Sequence, residues 1–111
     1  MIYLSMLEIQ EILSLFTGLT LLKIDTEGNI INVVVNTKDG FDLNGIKNIY
    51  AVFSPEEEAR VKRAIEMSFD SKKKYMEIDK RFGIDEFVDV EVSEYKEQLY
   101  MFIQFFHSNR Q

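Results

Sequence analysis

Residues 21–30 read LLKIDTEGNI, with one apolar run before the turn sequence TEGN and another beginning directly after it. Glycine and asparagine adopt positive φ angles at low cost, so Gly28 and Asn29 allow the chain to reverse direction within a few residues. We therefore expect residues 19–25 and 29–35 to form a β-hairpin.

A helix is predicted to begin after this hairpin, where residues 53–57 read FSPEE. Ser54 suits the N-cap, and Pro55 suits the first helical position because the N–H that proline lacks is not needed there. Glu57 then stands where it would complete a capping box. We expect the helix to extend from Pro55 to about Phe69. Its apolar side would comprise Val61, Ala64, Ile65 and Ser68.

Three further runs, 73–82, 85–95 and 98–106, have the composition of strands. The run 85–95 alternates valine with polar residues, which predicts one covered face. The last run carries large apolar groups on both faces and is therefore expected to be central in the sheet. The run 29–35 is almost continuously apolar, so we expect it to be covered on both faces.

Residues 1–16 have the pattern of an amphipathic helix. Apolar residues recur at alternating spacings of four and three: Ile2, Met6, Ile9, Leu13 and Phe16. A second apolar stripe widens this face beyond what one contact would cover. We predict that this seam forms a homodimer interface; the alternative is that both stripes pack within one monomer.

In this order, the segments resemble the PAS sensory domain family over about residues 20–106. The resemblance rests on an Asp-x-x-Gly-x-Ile hairpin, a Leu-x-Gly element, a Pro-Glu helix start and three final strands. The matching residues are Asp25, Gly28, Ile30, Leu43, Gly45, Pro55 and Glu56. The resemblance implies an α+β fold whose five-stranded antiparallel sheet has its last strand next to its first. It places the short helices of residues 39–69 on one face, and we expect the N-terminal helix to pack on the other.

Composition narrows the classes of function. The net charge of −6 argues against binding to nucleic acid, which requires a basic surface. The apolar runs are far shorter than the ~20 residues that cross a bilayer, so we expect a cytoplasmic protein with no membrane partner. The single histidine, His107, lies near the end of the sequence, and no nucleophile or phosphate-binding motif accompanies it. We therefore predict no catalytic residues, no metal site and no enzyme activity.

The resemblance also allows cofactors to be considered one by one. Relatives that bind haem commonly use a histidine of the long helix, and residues 55–70 contain none. Relatives that form a flavin adduct or a thioester-linked chromophore need a cysteine, and the sequence has none. No cofactor is therefore identifiable, and a non-covalent ligand, no ligand, or a flavin bound without a cysteine remain open.

A ligand pocket can still be placed on the last two strands. If Gln104 faces inward, the period of two makes Tyr100 and Phe102 its neighbours, opposite Val88 and Val90. One amide among aromatic groups is typical of a small-molecule site. In flavin-binding relatives, a glutamine occupies a similar place late in this strand. The alternative is that the aromatic residues fill the core and Gln104 bonds to the backbone.

These observations predict an amphipathic helix over residues 1–18 and a PAS-like domain over 19–107. The expected function is a dimerising sensory module of a bacterial signalling protein, linked to an effector domain in cis or in trans. The alternative from another class is a purely structural homodimerisation domain with a filled core. A nuclear transport factor-like cone is disfavoured, because it would usually start with longer helices.

Overall fold

The structure is a computed structural model that describes residues 5–70, 72–84 and 86–106. Its main elements, in chain order, are α1 (Met6–Leu13), β1 (Leu19–Ile24), β2 (Ile30–Asn36), α2 (Glu58–Glu66), β3 (Lys74–Glu77), β4 (Phe87–Tyr95) and β5 (Gln98–Phe105). Short 3₁₀ turns lie at Ile49–Ala51, Pro55–Glu57, Ser68–Asp70 and Lys80–Phe82. The chain is thus an α+β fold.

The five strands form one antiparallel sheet in the order β2-β1-β5-β4-β3. The last strand lies between the first and the fourth, so the prediction that it is central is confirmed. The first turn is as expected at Gly28, which has a φ of +83°, whereas Asn29 does not adopt the positive φ that the turn sequence also allowed. A Cβ there would lie 3.0 Å from side-chain atoms of Ile49 and Tyr50, so the turn packs closely on the loop that follows β2.

The core lies on one face of the sheet, which we call the inner face. Val88, Val90 and Val92 of β4 point into it, as the alternation predicted, next to Met101 and Ile103 of β5. Helix α2 and the segment between β2 and α2 cover this face. They contribute Phe41, Leu43, Ile49, Val52, Phe53, Val61, Ala64 and Ile65.

The start of α2 differs from the predicted capping box. The side chain of Ser54 makes no cap hydrogen bond; it is buried, and its hydroxyl donates to the Ile78 carbonyl at 3.2 Å. The Glu57 carboxylate does not cap the helix start; it accepts the backbone N–H of Glu77 at 2.6 Å and also pairs with Arg60 of α2. The two side chains therefore tie the helix start to the end of β3. The predicted continuous helix 55–69 is a 3₁₀ turn, α2 and a second 3₁₀ turn.

Strand β2 is not covered on both faces, which corrects the sequence prediction. It is an edge strand, and Ile31 and Val33 are 56% and 39% exposed. An apolar edge without charged residues invites pairing with other chains. Two irregularities in its register with β1 interrupt the regular edge, and the Gln10 side chain of α1 donates to the Val34 carbonyl at 2.8 Å. These features limit pairing of the β2 edge with other chains. The apolar composition of β2 does not predict them.

Helix α1 is shorter than the predicted helix 1–16. Ser5 caps it in a capping box with Glu8. Its contact with β2 through Gln10 is at the sheet edge, and the expected packing across the other face of the sheet is not confirmed. Within the described residues, no helix is both long enough and apolar enough to cross a membrane.

Candidate functional site

The predicted ligand residues lie on opposite faces of the sheet. Gln104 pairs with Asp89, and both belong to the face opposite the core, which we call the outer face. Tyr100 and Phe102 share that face and are half-buried. Val88 and Val90 are fully buried on the inner face. The five residues therefore do not line one cavity. The prediction that Gln104 faces inward is wrong, because its side chain is exposed on the outer face.

The register explains this outcome. Val88 lies opposite Phe105, and Val90 lies opposite Ile103, so the odd-numbered residues of β5 face the core. Both sets of β5 residues are rich in large apolar groups, which left the choice of face open. Gln104 itself could have indicated the exposed face of β5. The other set of β5 residues has no polar side chain and is the better candidate for the core: Leu99, Met101, Ile103 and Phe105.

Two depressions among the described residues lie at the rim of the fold. One of about 280 Å³ lies between Gly40, Asp42, Ile46, Arg81 and Phe82. Its guanidinium is engaged already, because Arg81 Nε lies 3.0 Å from the Asp79 carboxylate and another nitrogen donates to the Ala51 carbonyl at 2.7 Å. This depression therefore offers a ligand no unpaired charge from Arg81.

A second depression, of about 330 Å³, lies where β1 begins and β5 ends. Its lysine, Lys38, is 3.3 Å from the Glu86 carboxylate and 5.3 Å from the centre of the Phe105 ring. The ammonium is thus stabilised by a carboxylate and an aromatic face of this chain. Neither depression includes the residues predicted to bind a ligand.

The described residues with clearly shifted pKa values lie in turns and do not line these two depressions. The side-chain amide of Asn29 holds the pKa of Asp25 below its ordinary value, and backbone N–H groups of the turn act in the same direction. The backbone N–H of Arg81 similarly lowers the pKa of Asp79. Burial raises the pKa of Tyr50, with a smaller effect from nearby glutamates. We assign these groups structural roles.

The outer face of the sheet carries a group of aromatic side chains. At one end, the rings of Tyr75 and Phe87 stack with centroids 4.9 Å apart, and Phe106 lies 5.7 Å from Tyr75. All three side chains are exposed by a third or more. Tyr100 and Phe102 lie on β5, the central strand of the sheet. A sheet face with this many aromatic groups is typical of a protein interaction surface.

Helix α1 adds a second apolar surface. Leu7 is 66% exposed and Leu15, just after the helix, is 78% exposed. Of the predicted seam, Ile9 and Phe16 are exposed and Leu13 is half-buried. Ile2 and the side chain of Met6 lie outside the part of the chain that the structure describes. The described part of the seam thus remains largely accessible.

Comparison with known proteins gives no family assignment. No protein-family model matches this chain, and a search of curated proteins finds no match.

Proposed function

We propose that this chain is a PAS-like protein-interaction module that forms a homodimer and serves a bacterial signalling protein. The observation that carries the proposal is the exposed apolar surface of α1 together with the aromatic outer face of the sheet. Burying such surface in an interface would lower the free energy of the complex by roughly 25 cal/mol for each Å² of apolar surface removed from water. A second copy of the chain would bury it.

The architecture supports the PAS-like character. The strand order places β5 next to β1, and the turn at Gly28 is followed by short helical segments that cover the inner face. Such a module would pass a change in the sheet to α1 and from there to an effector domain, in cis or in trans. We place this signalling role in the cytoplasm.

A second candidate is a purely structural homodimerisation domain. It is favoured by the packing of the inner face, where Val88, Val90, Met101 and Ile103 are each 0% exposed. Close-packed interiors leave little room for a ligand. The sensory role therefore needs a ligand bound elsewhere or a signal carried by a partner protein.

Deleting residues 1–14 tests the dimer. We expect the intact chain to have the mass of a dimer by light scattering at micromolar concentration and the truncated chain to have the mass of a monomer. Leu7→Glu, which places a charge on the exposed side of α1, should weaken the dimer without removing the helix. Glu11→Gln is the matched control on the same helix. An intact chain that is monomeric would refute the proposal, and an unchanged dimer after truncation would place the interface away from α1.

Native mass spectrometry distinguishes the two candidates. Protein purified from cells is measured without denaturation, and a mass above that of two chains would reveal a retained small molecule. A retained molecule that saturates the dimer supports the sensory module. A dimer of bare chains supports the structural domain.

A further inference from the structure

Residues 43–46 form a tight turn in the segment between β2 and α2. The N–H of Ile46 donates to the carbonyl of Leu43 at 3.0 Å, and Gly45 has a φ of +80°. Asn44 does not have a positive φ, so the turn is of type II, with Asn44 and Gly45 as its two central residues. Both of these residues are exposed to solvent.

The Asn44 side chain and the Gly45 N–H have no hydrogen-bond partner among the described residues. The carboxylate of Asp42 accepts the N–H of Asn44 at 2.9 Å and leaves the next peptide group unbonded. A Cβ built at Gly45 would have no other part of the chain within 4 Å. The peptide group between Asn44 and Gly45 is therefore bordered by open space.

The other described asparagines are held differently. The side-chain amides of Asn29, Asn36 and Asn48 each take part in hydrogen bonds within the fold. Asn32 is exposed, but it lies in β2 and precedes a β-branched valine. Asn44 is the only asparagine in the sequence that glycine follows.

We propose that Asn44 is a site of spontaneous deamidation, in which its side-chain amide becomes a carboxylate without an enzyme. The backbone nitrogen of Gly45 attacks Cγ of Asn44 and loses its proton to solvent. The new C–N bond closes a five-membered succinimide ring, and the C–N bond of the side-chain amide breaks to release ammonia. Water then opens the ring at one of its two carbonyl groups, which gives aspartate or isoaspartate at position 44.

The turn and its glycine make this attack accessible. Glycine has no Cβ to obstruct its own nitrogen and adopts the wide range of backbone angles that ring closure requires. In a type II turn, ψ of Asn44 is about +120°, which points the Gly45 nitrogen away from Cγ until the turn opens. One backbone hydrogen bond closes the turn in the described residues, and exposed bonds of this kind open locally without unfolding the rest of the protein.

The products would alter the cover of the inner face. Isoaspartate carries the backbone through its side chain and so adds a methylene group between Leu43, which is in the core, and Ile46, which packs against the core. Either product adds a negative charge beside Asp42. The modification therefore acts on the loop that covers the sheet and not on the surfaces proposed for dimerisation.

Peptide mapping of aged protein tests the proposal. The full chain is kept folded in mildly alkaline buffer for several days and then digested with trypsin. Cleavage after Lys38 and Lys47 releases residues 39–47 as a peptide whose only asparagine is Asn44. We expect this peptide to gain the mass difference between a hydroxyl and an amino group.

The next tryptic peptide, residues 48–60, is the internal control, because its only asparagine is Asn48. The side chain of Asn48 is hydrogen-bonded, and isoleucine follows it. We expect Asn48 to react at least about tenfold more slowly than Asn44, since a bulky residue hinders the attack that glycine permits.

Two variants identify the reacting atoms. In Asn44→Gln, closure would require a six-membered ring, so the peptide 39–47 should keep its mass. In Gly45→Ala, the added methyl group should slow the reaction roughly tenfold. Alanine is strained at the positive φ of this position, so circular dichroism checks that the Gly45→Ala protein remains folded.

Incubation in urea gives the rate of the unfolded chain. If Asn44 reacts in urea but stays unmodified in the folded protein, the turn protects it and the proposal is wrong. Equal rates at Asn44 and Asn48 in the folded protein would also overturn it, as would a Gly45→Ala protein that reacts as fast as the original. None of these outcomes depends on whether the chain forms the proposed homodimer.

Discussion

At the scale of single residues, the junction between α2 and β3 depends on a carboxylate that the sequence pattern assigned to another role. Glu57 is 8% exposed, accepts the N–H of Glu77 and lies 2.8 Å from the Arg60 guanidinium. Its position three residues after Ser54 predicted a capping box. The structure uses the same carboxylate for a contact 20 residues further along the chain, because β3 ends beside the start of the helix.

Replacing Glu57 with alanine should destabilise the protein. The N–H of Glu77 would lose its acceptor, and we expect a cost of about 1 to 3 kcal/mol in the free energy of unfolding. Glu57→Gln retains an oxygen that can accept this bond and should cost less. Glu56→Ala, at the exposed neighbouring position, is the control. Urea denaturation measures all three, and equal midpoints for the Glu57→Ala and Glu56→Ala proteins would contradict the prediction.

The turn after β1 predicts a dependence of stability on pH. The hydrogen bonds that lower the pKa of Asp25 favour its ionised form in the folded protein. The stabilisation is therefore complete above the ordinary aspartate pKa of 3.8 and is lost as the pH falls through the lower pKa of the folded state. We expect wild-type protein to be more stable than Asp25→Asn at pH 6, with a difference that shrinks below pH 4.

Thermal melts of both proteins across this pH range provide the measurement. Asp39→Asn, at another exposed loop carboxylate, controls for the change in net charge. A difference between wild type and Asp25→Asn that stays constant from pH 6 to pH 2 would show that the Asp25 carboxylate does not stabilise the turn through its charge.

At the scale of secondary-structure elements, the β4–β5 hairpin contains a backbone conformation that its residues adopt poorly. Tyr95 pairs with Gln98, and the two residues between them, Lys96 and Glu97, have φ angles of +51° and +66°. Two-residue hairpin loops with both central φ angles positive strongly prefer Asn-Gly. Non-glycine residues in this region carry a cost of roughly 1–2 kcal/mol each.

Replacing Lys96 with asparagine and Glu97 with glycine should therefore stabilise the hairpin. We expect the double variant to gain about 1 kcal/mol in the free energy of unfolding, since the relieved strain is partly offset by the greater freedom of glycine in the unfolded chain. Lys47→Asn, at an exposed lysine outside the turn, is the control. A lower urea midpoint for the double variant would indicate that these two side chains make stabilising contacts that outweigh the strain.

At the scale of the whole molecule, the sequence predicted the arrangement of the strands in the sheet more accurately than it predicted which residues are exposed on the surface. Alternation in β4 identified its buried valines, and the large apolar groups of β5 placed it at the centre, because both patterns reflect burial of side chains by neighbouring strands. Turn chemistry placed the first hairpin for a similar local reason: Gly28 adopts the positive φ that the turn requires.

The candidate surfaces depended on information that a strand pattern does not contain. Whether Gln104 faces the core is set by its register with Asp89, which is a relation between two strands. Strand β2 is exposed because it lies at the edge of the sheet, whereas its apolar composition predicted that both of its faces would be covered.

The order β2-β1-β5-β4-β3 also determines when the sheet can form during synthesis. Synthesis proceeds from the N-terminus, so β5 is made after both of the strands with which it pairs, and until then no strand connects the β1–β2 pair to the β3–β4 pair. Each pair then presents an open inner edge to chaperones and to other nascent chains. Joining the two pairs must await residues 98–105, which makes completion of the fold a single late event that follows translation of the module.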